Sequence, residues 1–448
     1  MSADTSARSI SHAEGVDKVR ALQRVLYRSA KQDSARRFHA LYDKVARSDI
    51  LWRAWVEVAS NQGAPGVDGV TIASISDGGG GGVRAFLEQL AQQLRDRTHR
   101  PRPLRRVHIP KPGKPGQTRP LGIPCVADRV VMTAAKIVLE PIFEADFSPV
   151  SFGFRPKRSA HQALEAIRVS VNRGADWLLD ADIKACFDEI DHDALIAQVE
   201  RRVSDRQMLK LLRSWLRAGV FEGGIVSDVE AGTPQGSPIS PLLANIALNV
   251  LDEAWAKTAA LGTLVRYADD FVVLTTSRQR AEEARRRIEA VLATLGLRLH
   301  PDKTRIVCLK DGGEGFDFLG FYHRKTKSKW GRNRRYLSKW PSTRAMASIR
   351  SKVRERTDRR FASRDLRDVV ADLNPVLRGW GAYFRWGNSA RKFAAIDSYV
   401  HWRLTKLASV NYATGSRART SRFTNDWLTG LGIHRLTGTI RYWSAAHA

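Results

Sequence analysis

Two short apolar runs, Leu264-Val265 and Phe271-Val272-Val273-Leu274, bracket the tetrad Tyr267-Ala268-Asp269-Asp270. Apolar runs this short, separated by turn residues, predict the two strands of a hairpin with paired carboxylates at its tip. A second hairpin is predicted from Arg105–Pro110 and Arg119–Pro124, which flank the basic turn Lys111–Gly116. Strands are predicted at 176–183 and 304–309, and Phe316–Phe321 is apolar enough for a short hairpin. Helical spacing predicts helices over 83–97, 126–145, 159–173, 193–202, 205–218 and 278–295. Residues 1–50 have a basic helical pattern with alternating charge, and 343–371 and 388–410 are helical and strongly basic. Gln62–Gly69 and the glycine run Gly78–Gly82 read as loops. Strands interleaved irregularly with helices predict an α+β fold rather than a wound parallel sheet.

Charge changes this picture more than composition does. The chain of 448 residues, long enough for more than one domain, has a formal net charge of +28. Residues 321–448 hold 28 Lys+Arg against 7 Asp+Glu, so most of the excess lies at one end. Such a surface suits a polyanion, and RNA or DNA is the expected one, because each neutralised phosphate adds to binding. No apolar run is long enough to span a bilayer, and the N-terminus has no signal-type apolar core, so no membrane partner is expected. Cys125, Cys186 and Cys308 stand far apart without a Cys-x-x-Cys pair. No zinc and no disulfide framework are expected, and a reducing, cytoplasmic setting fits.

Adjacent carboxylates at a hairpin tip repel one another and cost desolvation unless a divalent cation is shared there. A second acidic cluster, Asp180-Ala181-Asp182-Ile183-Lys184-Ala185-Cys186-Phe187-Asp188, lies at a predicted strand end. A lone Asp-Asp is ordinarily a solvated turn. Two clusters at the ends of apolar strands point instead to a two-metal phosphoryl-transfer centre, and so to a polymerase. Asp182 and Asp269 are expected as bridging ligands, with Asp270 in support and the Ile183 carbonyl as a further donor. Asp180, Asp188 and Asp191 are weaker candidates.

Tyr267-Ala268-Asp269-Asp270 resembles the Tyr-x-Asp-Asp box of reverse transcriptases, and Asp182 with Phe187 five residues on resembles their first catalytic box. Gly232–Asn245 resembles the template- and nucleotide-positioning box, and Ser151–Pro156 and Arg119–Pro124 resemble further blocks, all in family order. The chain is similar over residues 50–445 to bacterial group II intron reverse transcriptase/maturases. Leu373–Phe384 looks like their maturase-specific region, which doubles as the polymerase thumb.

The resemblance implies a right-hand polymerase: fingers, a palm with an antiparallel sheet, and a helical thumb. The expected units are a helical extension at 1–60, fingers and palm at 61–320, and a basic thumb/maturase domain at 321–448. Two Mg²⁺ ions would be the cofactors, with Mn²⁺ as a substitute. Lys111 and Arg119 would grip the triphosphate. Phe187 would exclude a ribose 2′-hydroxyl, selecting dNTPs. Gln235 would bond the nucleotide and Gly236 would allow close backbone approach. Lys303 falls where the family carries a candidate general acid for pyrophosphate. The basic and aromatic residues of 324–340, including Trp330, Tyr336 and Trp340, are read as an RNA contact.

Implied partners are an RNA template, a DNA primer, dNTPs, the group II intron RNA and target DNA, with nucleoid association when the element is mobile. With no cysteine after Cys308, no HNH endonuclease is expected, and priming would use an existing 3′ end. The rival readings are a domesticated, defence or CRISPR-linked reverse transcriptase without an intron, and a maturase that folds RNA without polymerising.

Overall fold

The computed structural model describes residues 3–78, 81–110, 116–227, 231–233, 236–328, 335–411 and 423–441. The chain opens with α1 (Ala3–Gln32), α2 (Tyr42–Val45), α3 (Ser48–Ser60), α4 (Ile72–Ser76) and α5 (Gly82–Arg95). There follow β1 (Leu104–Pro110), β2 (Thr118–Ile123), α6 (Val126–Glu144), α7 (Ala160–Asn172), β3 (Trp177–Asp182) and α8 (Cys186–Glu189). Next come α9 (His192–Glu200), α10 (Arg206–Leu216), β4 (Val220–Glu222), β5 (Ile225–Ser227) and α11 (Ser240–Ala256). Then come β6 (Thr263–Tyr267), β7 (Asp270–Thr275), α12 (Arg278–Ala293), β8 (Arg305–Cys308), β9 (Gly315–Phe318), β10 (Phe321–Lys327) and β11 (Arg335–Pro341). The last helices are α13 (Thr343–Arg356), α14 (Leu366–Phe384), α15 (Ala390–Asn411) and α16 (Asn425–Gly430).

Three sheets organise these elements. The central one runs β6-β7-β3-β8, antiparallel throughout. A second, β2-β1-β4-β5, contains the hairpin around the basic turn, and β11-β10-β9 forms the third. Side chains on a strand alternate between faces, so the central sheet separates two cores. Leu179, Ala181, Phe271 and Val273 join the helical core of α1, α3, α6 and α11, while Leu178, Val272, Leu274 and Val307 join α7, the third sheet and α13–α15.

Packing and strand pairing cross both expected boundaries. The helical extension at 1–60 packs into the core of the following unit: Val19, Leu26 and Leu51 share a core with Val130, Ile137 and Leu243. Gln23 Nε2 donates to the Ile137 carbonyl (3.2 Å), and Arg202 Nη2 donates to the Ala30 carbonyl (2.7 Å). A division at 320–321 would cut the β9–β10 turn, where Phe318 and Phe321 are paired. Residues 321–341, expected to be the start of a helical domain, are mostly strand.

The single helix expected over 343–371 is interrupted at Thr357–Asp365 without glycine or proline. Asp358 accepts from the Arg360 amide and Asp365 from the Arg367 amide, so carboxylates cap new turns where a helix would have continued. The β4–β5 hairpin and α11 were not foreseen. Each of these strands has three residues, too few for a periodic signal, and α11 is apolar nearly all round because it is buried.

Candidate active site

The Tyr267–Asp270 turn closes the β6–β7 hairpin, with Ala268 in a left-handed conformation (φ +60°). Three fully buried polar side chains hold it. Arg266 donates Nε to Asp252 Oδ1 (2.9 Å), and Nη1 to the Asn245 side-chain oxygen (3.0 Å) and the Ala268 carbonyl (2.9 Å). Asn245 Nδ2 in turn donates to the Gly153 carbonyl (2.9 Å). A Cβ on Gly153 would lie 2.4 Å from the Ala268 nitrogen, so the Ser151–Pro156 segment reaches the tip only because residue 153 is glycine. Arg155 fixes that segment with a forked pair to Glu144 and a bond to the Ser151 carbonyl (2.8 Å). Sequence reasoning missed Arg266, Asn245, Asp252 and Glu144 as supports. Their signal was the presence of polar residues inside otherwise apolar segments, which burial allows only with partners.

The central sheet brings the two acidic clusters together. Asp182 of β3 stands directly opposite Asp270 of β7, and alternation puts Asp180 on the same face. Burial, and then the charges of Asp180, Asp182 and Asp269, push the Asp270 carboxyl up to about 8. Burial likewise raises Asp269, with Asp182 adding to the rise while Arg119 and Lys303 oppose it. Asp180 is also raised by burial, against the pull of Arg305.

The other neighbour of β3 supplies cations. Arg305 opens β8 opposite Asp180, and its Nε donates to Asp180 Oδ2 (3.1 Å). Lys303 Nζ donates to Asp182. It reaches there because the His300 amide donates to the Asp182 carbonyl (2.8 Å), which anchors the turn carrying Lys303. Among the described residues, no three His, Cys, Asp or Glu side chains stand grouped as a metal site. The donors are nevertheless of the right chemistry for a hard divalent cation: carboxylate oxygens, adjacent by strand register and short of positive charge. Ile183, buried at the end of β3, pairs with Leu299.

Around this edge lie the other predicted residues. Phe187, on α8, is half-buried and lines a cavity of about 310 Å³ with Arg106, Pro120, Gly122 and Thr233. Arg119 is an exposed residue of β2 whose charge acts on Asp269. Gly236 (φ +108°) packs on that same strand, where a Cβ would lie 2.6 Å from the Gly122 carbonyl oxygen. Thr233 and Gly232 donate backbone N–H groups to Phe187 and Ile190, tying the positioning box to α8. Lys111 and Gln235 lie outside the described residues. Of the weaker candidates, Asp191 caps α9 by accepting from the Ala194 amide (2.7 Å). Burial pushes the Cys186 thiol up to about 12, which leaves it a core side chain.

The RNA-contact reading of 324–340 is corrected for several residues. Lys325 pairs with Asp176, Arg324 Nε donates to the Gly312 carbonyl (2.7 Å), and Lys339 is buried over the Phe321 ring. The Lys325 and Lys339 charges are thus taken up inside the fold, while Arg324 and Tyr336 are exposed and Trp340 packs on Tyr322. Trp330 lies outside the described residues. One face of the Leu373–Phe384 stretch packs inward: Trp380 and Phe384 pack on Phe393 and Phe321, and Asn374 holds Gly432 and His434.

Comparison with known proteins adds independent findings. Residues 109–323 match the family "Reverse transcriptase (RNA-dependent DNA polymerase)", and residues 346–427 match "Group II intron, maturase-specific domain". The chain is 33% identical to Protein YkfC of Escherichia coli, over 70% of this chain and 90% of that protein. It is 40% identical to the group II intron-encoded protein LtrA of Lactococcus lactis, over 48% of this chain but only 35% of LtrA. A chain of a partial Cas6-RT-Cas1–Cas2 complex is 25% identical with a TM-score of 0.36, covering 56% of this chain and 41% of that one.

Proposed function

Because this chain belongs to the group II intron-encoded reverse transcriptase/maturase family, and is by that family an RNA-directed DNA polymerase with a maturase-specific domain, we propose that its chemistry is carried by Asp182, Asp269 and Asp270. The family uses divalent metal ions, and Mg²⁺ is the ion we assign, with Mn²⁺ as a substitute. The three carboxylates and the Ile183 carbonyl would hold a pair of ions, which when bound would activate a primer 3′-hydroxyl and neutralise the triphosphate. The one observation that carries this reading is the cross-strand register of Asp182 with Asp270, which joins the two acidic boxes at one sheet edge.

The remaining residues bind and orient. Arg119 and Lys111 belong to the fingers hairpin and would take the triphosphate, Arg119 with its forked donors. Phe187 would lie under the sugar and reject a 2′-hydroxyl by contact. Gln235 would bond the incoming nucleotide. Gly236 would keep the positioning box tight against β2. Lys303 would serve the departing pyrophosphate. The partners we assign are an RNA template, a DNA primer, dNTPs, the intron RNA and target DNA, in the bacterial cytoplasm and at the nucleoid. No described helix is long and apolar enough to cross a membrane.

Primer extension on an RNA template with dNTPs and Mg²⁺ tests the assignment. Asp182→Asn should abolish extension while leaving the fold intact by circular dichroism. Extension at the wild-type rate would overturn it.

A further inference from the structure

The two cations beside β3 sit in unequal positions. Arg305 faces Asp180, one step in from the edge, and the pair is held by the strand register itself. Lys303 faces Asp182, the outermost acid of the strand, from a turn instead of a strand. Its side chain is 53% exposed, against 25% for Asp182. The ammonium can therefore exchange Asp182 for water at modest cost, because a part-exposed ion pair is held only weakly. The backbone does not need to follow, because the His300 amide stays bonded to the Asp182 carbonyl (2.8 Å). On the other side of Asp182 stands Asp270, an acid that no ion pair joins among the described residues.

Resting on the reading of Asp182 as a ligand, we propose that Lys303 is a built-in, releasable counter-ion. In the metal-free protein it occupies Asp182, relieves repulsion among the three acids, and competes with the divalent cation for that carboxylate. Lys303 occupies Asp182 Oδ2, so a cation that takes that oxygen must displace it, and the anchored turn keeps the freed ammonium beside the site. Lys303 is thus a positioning residue that sets metal affinity. Removing its charge should tighten metal binding, the reverse of what a ligand or simple scaffold residue would do.

Binding of Mn²⁺ to the full chain, read from the electron paramagnetic resonance signal of the free ion, needs no turnover. Lys303→Met and Lys303→Gln should each bind Mn²⁺ roughly fivefold more tightly, the scale of a part-exposed ion pair. Lys303→Arg should stay near wild type, since the charge is kept. In EDTA the neutral variants should melt lower than wild type, and saturating Mn²⁺ should raise their melting temperature by more. Unchanged or weaker Mn²⁺ binding in both neutral variants, with Asp182→Asn weakened, would overturn the counter-ion while leaving the ligand assignment standing. Wild-type Mn²⁺ affinity in Asp182→Asn would overturn that assignment and the counter-ion with it.

Discussion

Below the hairpin tip, Asp252 meets Arg266 in a forked pair with both side chains fully buried, and each nitrogen of that guanidinium has an acceptor. At the tip, Asp270 is half-buried opposite another acid, and its carboxyl is pushed up to about 8. Two acids beside one hairpin, one buried and one half-buried, thus receive opposite treatment. A structural acid is given its cation and becomes part of the scaffold. The tip acids are left short of positive charge, which a stability argument alone would remove. Such a deficit beside an otherwise well-packed core is the mark of a group kept for chemistry.

The largest effect expected from this contrast is on activity at the tip. On the proposed assignment of Asp269 as a metal ligand, Asp269→Asn should lower primer extension on the order of a thousandfold or more. Its thermal stability should hold or rise; an active or a collapsed variant would break the comparison. Below the tip the loss should be of stability: Arg266→Met leaves Asp252 buried and unpaired, at about 3–5 kcal/mol by urea titration. The double variant Arg266→Met/Asp252→Leu should be much less damaged than Arg266→Met, because no charge remains unpaired.

Gly153→Ala tests how the two levels are joined. Its Cβ would lie 2.4 Å from the Ala268 nitrogen and must displace the tip. Extension should fall on the order of a hundredfold with modest loss of melting temperature. The smallest effect is a slope with pH. The Asp270 pKa is raised in the folded protein, so its stabilising contribution is full below the unfolded value near 4 and is lost as pH rises towards about 8. In EDTA, stability should therefore decline across that window, and Asp270→Asn should flatten the decline. An identical slope in wild type and variant would assign the loss to other groups.

Much of the site was legible in the order of residues along the chain. Short apolar runs around Asp269-Asp270 and before Asp182 announced strand ends, because a strand of a buried sheet must be apolar and its turn must be polar. The supports were not legible. Arg266, Asn245 and Asp252 are scattered polar residues until packing brings them within bonding distance of one tip. Charge was misread in the same way: Lys325 and Lys339 look like free cations in a basic run, yet one pairs with Asp176 and the other is buried over Phe321.

The sequence by itself determined which residues are acids and that the segments bearing them are strands ending in turns, since these depend on local periodicity and turn chemistry. Only the tertiary structure decided that β3 lies between β7 and β8. That order sets Asp182 between a like charge on one side and Lys303 on the other. Strand order is a long-range choice, made by which faces bury together, and no local pattern encodes which neighbour a carboxylate will meet.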